Sequence, residues 1–226
     1  LFNTVIYAAI VPALSVIISL LIANALANIK NEKVRGMFQS IYFLPYVTSL
    51  VAIGIVWSWL FNSEYGIINF ILGKVGISPI NWLNDPKYAM IALIIFAVWK
   101  SLAFNTLILT TGIASINPQY YQAAKIDQAT SGTIFRKITV KLVSPMIAYT
   151  YVISLIAAFK VYTEVYVLFG GRTLDGAVST VVRYIIDRFY GDQDFPLAFA
   201  ASVVLLIIIL TVTLVQKTVA RNKIHY

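Results

Sequence analysis

Lys100, Lys160 and Glu164 are ionisable side chains set inside otherwise apolar stretches, and Trp57, Trp99, Asn105, Tyr149, Phe159 and Tyr162 lie in the same stretches. These types suit recognition more than covalent chemistry. Aromatic faces pack on the C–H surfaces of a polyhydroxylated molecule, while amide, phenol, ammonium and carboxylate groups exchange hydrogen bonds with its hydroxyls. Tryptophans also gather at membrane interfaces, a role open to Trp57, Trp59 and Trp82. Groups for catalysis are scarce: the chain has one histidine, His225, no cysteine, and no carboxylate pair in its apolar stretches. It has no Gly-x-x-x-x-Gly-Lys phosphate loop with which to hydrolyse ATP, and no thiolate for a metal or a disulfide. No metal site and no enzyme activity are expected.

An ionised group at the bilayer centre costs at least about 2.5 kcal/mol, so each of the three should face a partner or a water-filled path. Lys160 and Glu164, four residues apart, are expected to pair with each other on one helix. Lys100 sits roughly 18 Å from the outer end of its stretch and has no local counter-ion. It is expected either to pair with another subunit or to line a path.

The elements that hold these side chains follow from composition. Of the 226 residues, 60% are hydrophobic and 12% charged, with a mean hydropathy of +0.83. Such values exclude a water-soluble domain. A bilayer core takes roughly 20 apolar residues per helix, and five stretches qualify, 1–29, 37–61, 88–115, 142–169 and 195–216. The predicted class is all-α, a polytopic transmembrane helix bundle of five spans in a single domain, 1–226. The first stretch is too long for a cleaved signal, so a further span is expected upstream of Leu1. Pro12 and Pro45 interrupt spans and suggest bends, while Gly132 and Gly170-Gly171 suggest turns.

Charge orients the spans. Lys30, Lys33, Arg35, Lys125, Arg136, Lys137, Lys141, Lys217, Arg221 and Lys223 fall on one side with only Glu32 and Asp127. The other side mixes Lys74, Lys87, Arg172, Arg183 and Arg188 with Glu64, Asp85, Asp175, Asp187, Asp192 and Asp194. The basic side is predicted to be cytoplasmic, with the C-terminus on it. The net charge of +8 then belongs against anionic lipid or a partner protein. Nucleic-acid binding is disfavoured, because no basic run is interleaved with exposed aromatics.

The longest cytoplasmic connection, 117–141, is polar and basic. Asn117-Pro118 reads as a helix N-cap and first turn, and Ser131-Gly132 as the stop, with Thr133 capping a second helix. Ala123, Ala124 and Ala129 would let another backbone approach, beside the apolar anchors Tyr120, Tyr121 and Ile126. Phe135 and Ile138 are expected to face the bundle. On the outer side, a short helix over 65–75, a turn around Pro79 and Trp82, and a surface helix over 181–189 are predicted.

The run Gln122-Ala123-Ala124, Asp127, Ala129, Phe135, Ile138 and Pro145 resembles the cytoplasmic coupling loop of binding-protein-dependent ABC importer permeases. Two positions depart from that pattern, Gln122 for the usual glutamate and Gln128 for the usual glycine. Phe2-Asn3-Thr4, Phe43-Leu44-Pro45, residues 158–171 and Ile224-His225-Tyr226 are similar to the sugar branch of the same family, of the maltose and multiple-sugar type. Arg172 stands where that branch has proline.

The resemblance implies a type I importer permease in a bacterial cytoplasmic (inner) membrane, forming the translocation path for a sugar or oligosaccharide. It places the contact with the ATPase at Gln122, Ala123, Ala124, Asp127 and Ala129. It further implies a homologous second permease, an ATPase dimer that alone holds ATP and magnesium, and an extracellular or periplasmic solute-binding protein. The same machine importing glycerol 3-phosphate is the nearest alternative, but a phosphate would favour more basic residues along the path than Lys100. An ATP-independent secondary carrier is more distant, since no internal repeat or Gly-rich broken span stands out.

Overall fold

The computed structural model describes residues 1–29 and 31–221, and among them every regular element is helical. Lys30, Lys223 and the stretch 224–226, with His225, lie outside the described residues. The chain opens with α1 (Phe2–Ala27), followed by α2 (Glu32–Val47) and α3 (Leu50–Leu60). A short α4 (Ile67–Lys74) precedes the long α5 (Pro86–Ala114). Next come α6 (Pro118–Ile126), α7 (Ser131–Ile134), a π-helical turn (Phe135–Thr139) and α8 (Val140–Leu142). Then α9 (Ser144–Phe159), α10 (Thr163–Phe169), α11 (Val181–Ile186), a second π-helical turn (Asp187–Gly191) and α12 (Phe195–Arg221) complete the described chain.

Among the described residues, α1, α5 and α12 are long and apolar enough to cross a membrane by themselves. The count reaches five if each of two bent pairs is one span. The expected second span, 37–61, is broken: α2 and α3 meet at 101°. Pro45 lacks the N–H that would bond one turn back, and Thr48 turns extended (ψ 149°) while its hydroxyl donates to the Leu44 carbonyl at 2.8 Å. Pro12, by contrast, sits within an unbroken α1. The expected fourth span, 142–169, is also divided. The helical run 131–142 meets α9 at 68°, and α9 itself stops at Phe159. The backbone leaves the helix through Val161 and Tyr162 and re-enters at Thr163. The Val161 carbonyl receives the buried Thr180 hydroxyl at 2.9 Å, which holds the break in place.

α1 and α5 form the most extensive pair, and α9 lies against both. Tyr7 shares a cavity with Lys100, Ser15 bonds Asn105, and Asn24 shares a second cavity with Thr110. The two helices therefore run in the same direction, as the first and third of alternating spans must. Phe61, Leu93, Phe96 and Phe169 are fully buried in the core. α12, packed on α9 and α11, is only 11% buried over its apolar window, and α2 has no buried residue.

Polar ties close the end of the bundle away from α6. Asn3 donates to the Gly176 carbonyl at 2.7 Å, and Thr4 accepts from the Val181 amide at 3.0 Å. Asn69 of α4 accepts from Trp82 Nε1 at 2.9 Å and donates to the Ile80 carbonyl at 2.8 Å. Trp82 is thus a buried loop anchor and not part of an interfacial belt, whereas Trp59 is 68% exposed. Arg172 bridges Asn84 at 2.7 Å and the Phe169 carbonyl at 3.1 Å, so it ties two outer loops together.

Candidate functional site

The break after Phe159 reassigns the intramembrane charges. An i,i+4 pair needs a continuous helix, and none joins Lys160 to Glu164. Lys160 is the exposed C-cap of α9. Glu164 falls in the first turn of α10 and takes Lys100 of α5, Nζ to Oε1 at 2.7 Å. Their side chains are 32% and 18% exposed, so the pair is shielded without being sealed. Lys100 therefore finds its counter-ion in its own chain, 64 residues away.

Both groups line a cavity of about 250 Å³ among α1, α2, α5, α9 and α10. Tyr46 and Phe104 stack on one side, ring centroids 5.6 Å apart and planes within 24°. Ser101, Asn105 and Ser154 supply neutral polar groups. Asn105 is clamped: its amide donates to Ser15 Oγ at 3.3 Å and Ser154 Oγ at 3.2 Å, and Ser154 donates back at 3.2 Å. It is 1% exposed, so it serves to lock three helices together more than to meet a ligand.

Of the nine path residues expected, Lys100, Asn105 and Glu164 line this cavity, and the others do not. Trp57 and Trp99 face each other at 5.1 Å and join Phe61 and Phe96 in an aromatic cluster. Phe159 is buried in the core, Tyr149 is 50% exposed, and Tyr162 packs toward Tyr166 at 5.9 Å. Tyr7, Tyr46, Ser101, Phe104 and Ser154 escaped the sequence reading. Phe104 lies one helical turn from Lys100, a spacing that would have put it on the same face. Tyr7, Tyr46 and Ser154 reach the cavity only through packing.

At the basic end, Asn117 caps α6 by accepting from the Gln119 amide at 2.9 Å, with Pro118 in the first turn, as expected. The helix stops earlier than Ser131-Gly132. The Ala129 amide bonds the Ala124 carbonyl at 2.9 Å and the Gln128 amide bonds that of Lys125 at 3.1 Å, a Schellman closure with Gln128 at φ +53°. Thr130, not Thr133, caps the next helix, because its hydroxyl is the one placed to accept the Thr133 amide, at 3.3 Å.

Gln122, Ala123 and Asp127 are exposed on α6, Ala129 is half-buried, and Ile126 is 82% exposed. Ala124 is buried by its own chain, so it seats the helix and presents nothing to a visitor. Tyr121 turns inward as well: it packs on the cluster of Ala23, Leu109, Ile113 and Val143, and its hydroxyl meets Thr139 Oγ1 at 3.2 Å. Phe135 and Ile138 are half-buried while Arg136, Lys137 and Lys141 are exposed. Above α6 opens a larger cavity of about 670 Å³, lined by Asn24, Arg35, Thr110, Lys125 and Phe135 among others.

Among the described residues no nucleophile and base stand in register. The arrangement offers a small, mostly apolar chamber that holds one ion pair, and an exposed short helix whose inner face grips the bundle. The sequence profile of binding-protein-dependent transport system inner membrane components matches residues 3–224. The chain is 32% identical over 209 residues to the trehalose/maltose transport system permease protein of Thermococcus litoralis, which covers 92% of this chain and 70% of that one. It is 32% identical over 190 residues to the arabinooligosaccharides transport system permease protein of Bacillus subtilis, covering 84% and 61%. With the lactose transport system permease protein of Rhizobium radiobacter the figures are 31% over 228 residues, 98% and 75%. Its fold matches a chain of a bacterial ABC transporter involved in the import of the acidic polysaccharide alginate, with a TM-score of 0.87, 23% identity, and 97% of this chain and 77% of that one covered.

Proposed function

Since the chain belongs to the family of binding-protein-dependent transport system inner membrane components, we propose that it forms one half of the membrane path of an ATP-driven carbohydrate importer. The observation that carries the cargo class is the agreement of relatives: those named for trehalose/maltose, arabinooligosaccharide and lactose transport align with 84% to 98% of this chain. The chamber around Lys100 and Glu164 supports the same reading, with aromatic rings for sugar faces and hydroxyl and charged groups for sugar hydroxyls.

In this reading α6 is the coupling element. Gln122, Ala123 and Asp127 meet the ATPase, while Ala124 and Tyr121 pass its movement to the bundle. ATP and magnesium bind the ATPase dimer only. A homologous permease completes the path against the exposed apolar faces, lipid covers the rest, and the basic end with the C-terminus is cytoplasmic. A solute-binding protein docks on the outer loops; a solved relative of the same fold was obtained with an alginate pentasaccharide-bound periplasmic protein. Closure of the ATPase dimer then rocks the spans and opens the chamber to alternate sides.

The test is uptake by the whole complex in proteoliposomes with ATP enclosed, comparing labelled maltose, lactose and arabinotriose with glycerol 3-phosphate. ATP-dependent saccharide uptake is expected. Uptake of the phosphate ester alone would overturn the cargo, and uptake without ATP would overturn the machine.

A further inference from the structure

Among the residues lining the central chamber, Lys100 and Glu164 alone carry charge, and they carry opposite charges. Two neutral side chains would fill that volume with less desolvation than an ion pair, so the pair is not explained by stability. Nor is it closed upon itself. The ammonium has three donors and the carboxylate two oxygens, yet the contact between them uses one donor and one oxygen, Oε1, at 2.7 Å. The remaining donors and the second oxygen are left for whatever enters, and both side chains keep partial exposure. A saccharide hydroxyl both donates and accepts, so it can bridge such a pair without adding charge.

An anionic sugar meets a different field. With the charge of Lys100 already balanced by Glu164, its carboxylate finds no net countercharge in the chamber lining. An anion that gives up its water without a countercharge in return is disfavoured, whereas a neutral hydroxyl loses far less. We propose that Glu164 is a charge filter, a specificity-determining residue that neutralises Lys100 so that the chamber takes uncharged saccharides and rejects anionic ones. This rests on the carbohydrate reading above and adds to it the electrical character of the cargo. Rejection by an unfavourable charge is a recognised route to specificity, distinct from better contacts to the preferred ligand. The helix break at Val161 is what delivers Glu164 to the chamber, since a continuous helix would have turned it toward Lys160.

The assay is direct binding to the purified permease and ATPase complex without its binding protein, whose own selectivity would mask the effect. The probes are maltose, lactose and arabinotriose, each against the aldonate made by oxidising its reducing end. The wild type is expected to prefer the neutral member. Glu164→Gln should shift the aldonate-to-neutral ratio upward by about tenfold or more, and Lys100→Met should shift it downward. Lys100→Met with Glu164→Gln should return the ratio to near the wild-type value. If single variants fail to assemble, the double variant and the swapped pair, Lys100→Glu with Glu164→Lys, carry the test by keeping the neutral preference.

Neutral binding by the wild type with an unchanged ratio in both single variants overturns the filter and leaves the carbohydrate reading standing. A swapped pair that favours the aldonate also overturns it. A wild type that binds none of the saccharides but binds glycerol 3-phosphate overturns both.

Discussion

Gln128 holds a left-handed backbone, φ +53°, at the position that closes α6. A side chain there costs about 1 kcal/mol relative to glycine, the residue the resembling loops usually place at this point. Gln128→Gly is expected to raise the melting temperature of the purified complex; an unchanged value would show that the backbone bears no strain. Gly54 poses the opposite problem. A Cβ there would lie 2.3 Å from Val167 Cγ1, where α3 crosses α10, and valine is stiff about χ1. Gly54→Ala is expected to destabilise by about 1 to 3 kcal/mol, read as a lower melting temperature and less assembled complex. Single residues were legible where a local rule suffices, as with Asn117 and Pro118. The Lys160–Glu164 pairing was not, because four-residue spacing says nothing unless the helix continues, and Thr180, 19 positions on, is what stabilises the interruption.

At the scale of elements, α6 has two unlike faces, one exposed and one buried, which the proposed coupling would use differently. Bulk on the exposed face, Ala123→Trp, is expected to leave the permease folded while abolishing the stimulation of ATP hydrolysis by loaded binding protein. Bulk on the buried face, Ala124→Trp, should lift the helix from its own bundle, so that hydrolysis continues without uptake. Both are read by measuring ATPase rate and uptake on one preparation, and full uptake in both variants would remove α6 from the coupling path. The sequence pattern placed the start of α6, the short helices over 67–74 and 181–186 and the long α1, α5 and α12 near their observed bounds, because apolar length and capping residues act locally, whereas the end of α6 was set by a closure at Gln128 that the pattern did not show. Pro45 signalled a bend in the second stretch but not a break as sharp as 101°, and the interruption after Phe159 was missed. Hydropathy averages over a window and is blind to direction, so two apolar helices meeting at 101° read as one.

For the whole molecule, the apolar surface is turned outward along α2 and α12, as expected of a bundle that meets lipid or a second permease. These 226 residues contain no cysteine, so a single thiol introduced among them has no native thiol beside it to confuse its labelling. Cysteines placed at Asp175 and Lys217 are expected to react with a membrane-impermeant maleimide from opposite sides of sealed vesicles. Asp175 labelled only from the cytoplasmic side and Lys217 only from the other would reverse the orientation argued from charge, and labelling of both from one side would show that α12 does not cross.

The outer ties also set a clock. Asn3 and Thr4 bond partners 173 to 177 residues further along the chain. At about 5 to 20 residues per second of synthesis, those partners are made roughly nine to thirty-five seconds after Asn3 and Thr4 themselves. Until then this end of α1 carries an amide and a hydroxyl with nothing to hold. α1 thus waits on partners made far later in the chain, and a chain halted before Val181 would leave this end of α1 unfastened although its packing on α5 and α9 was complete.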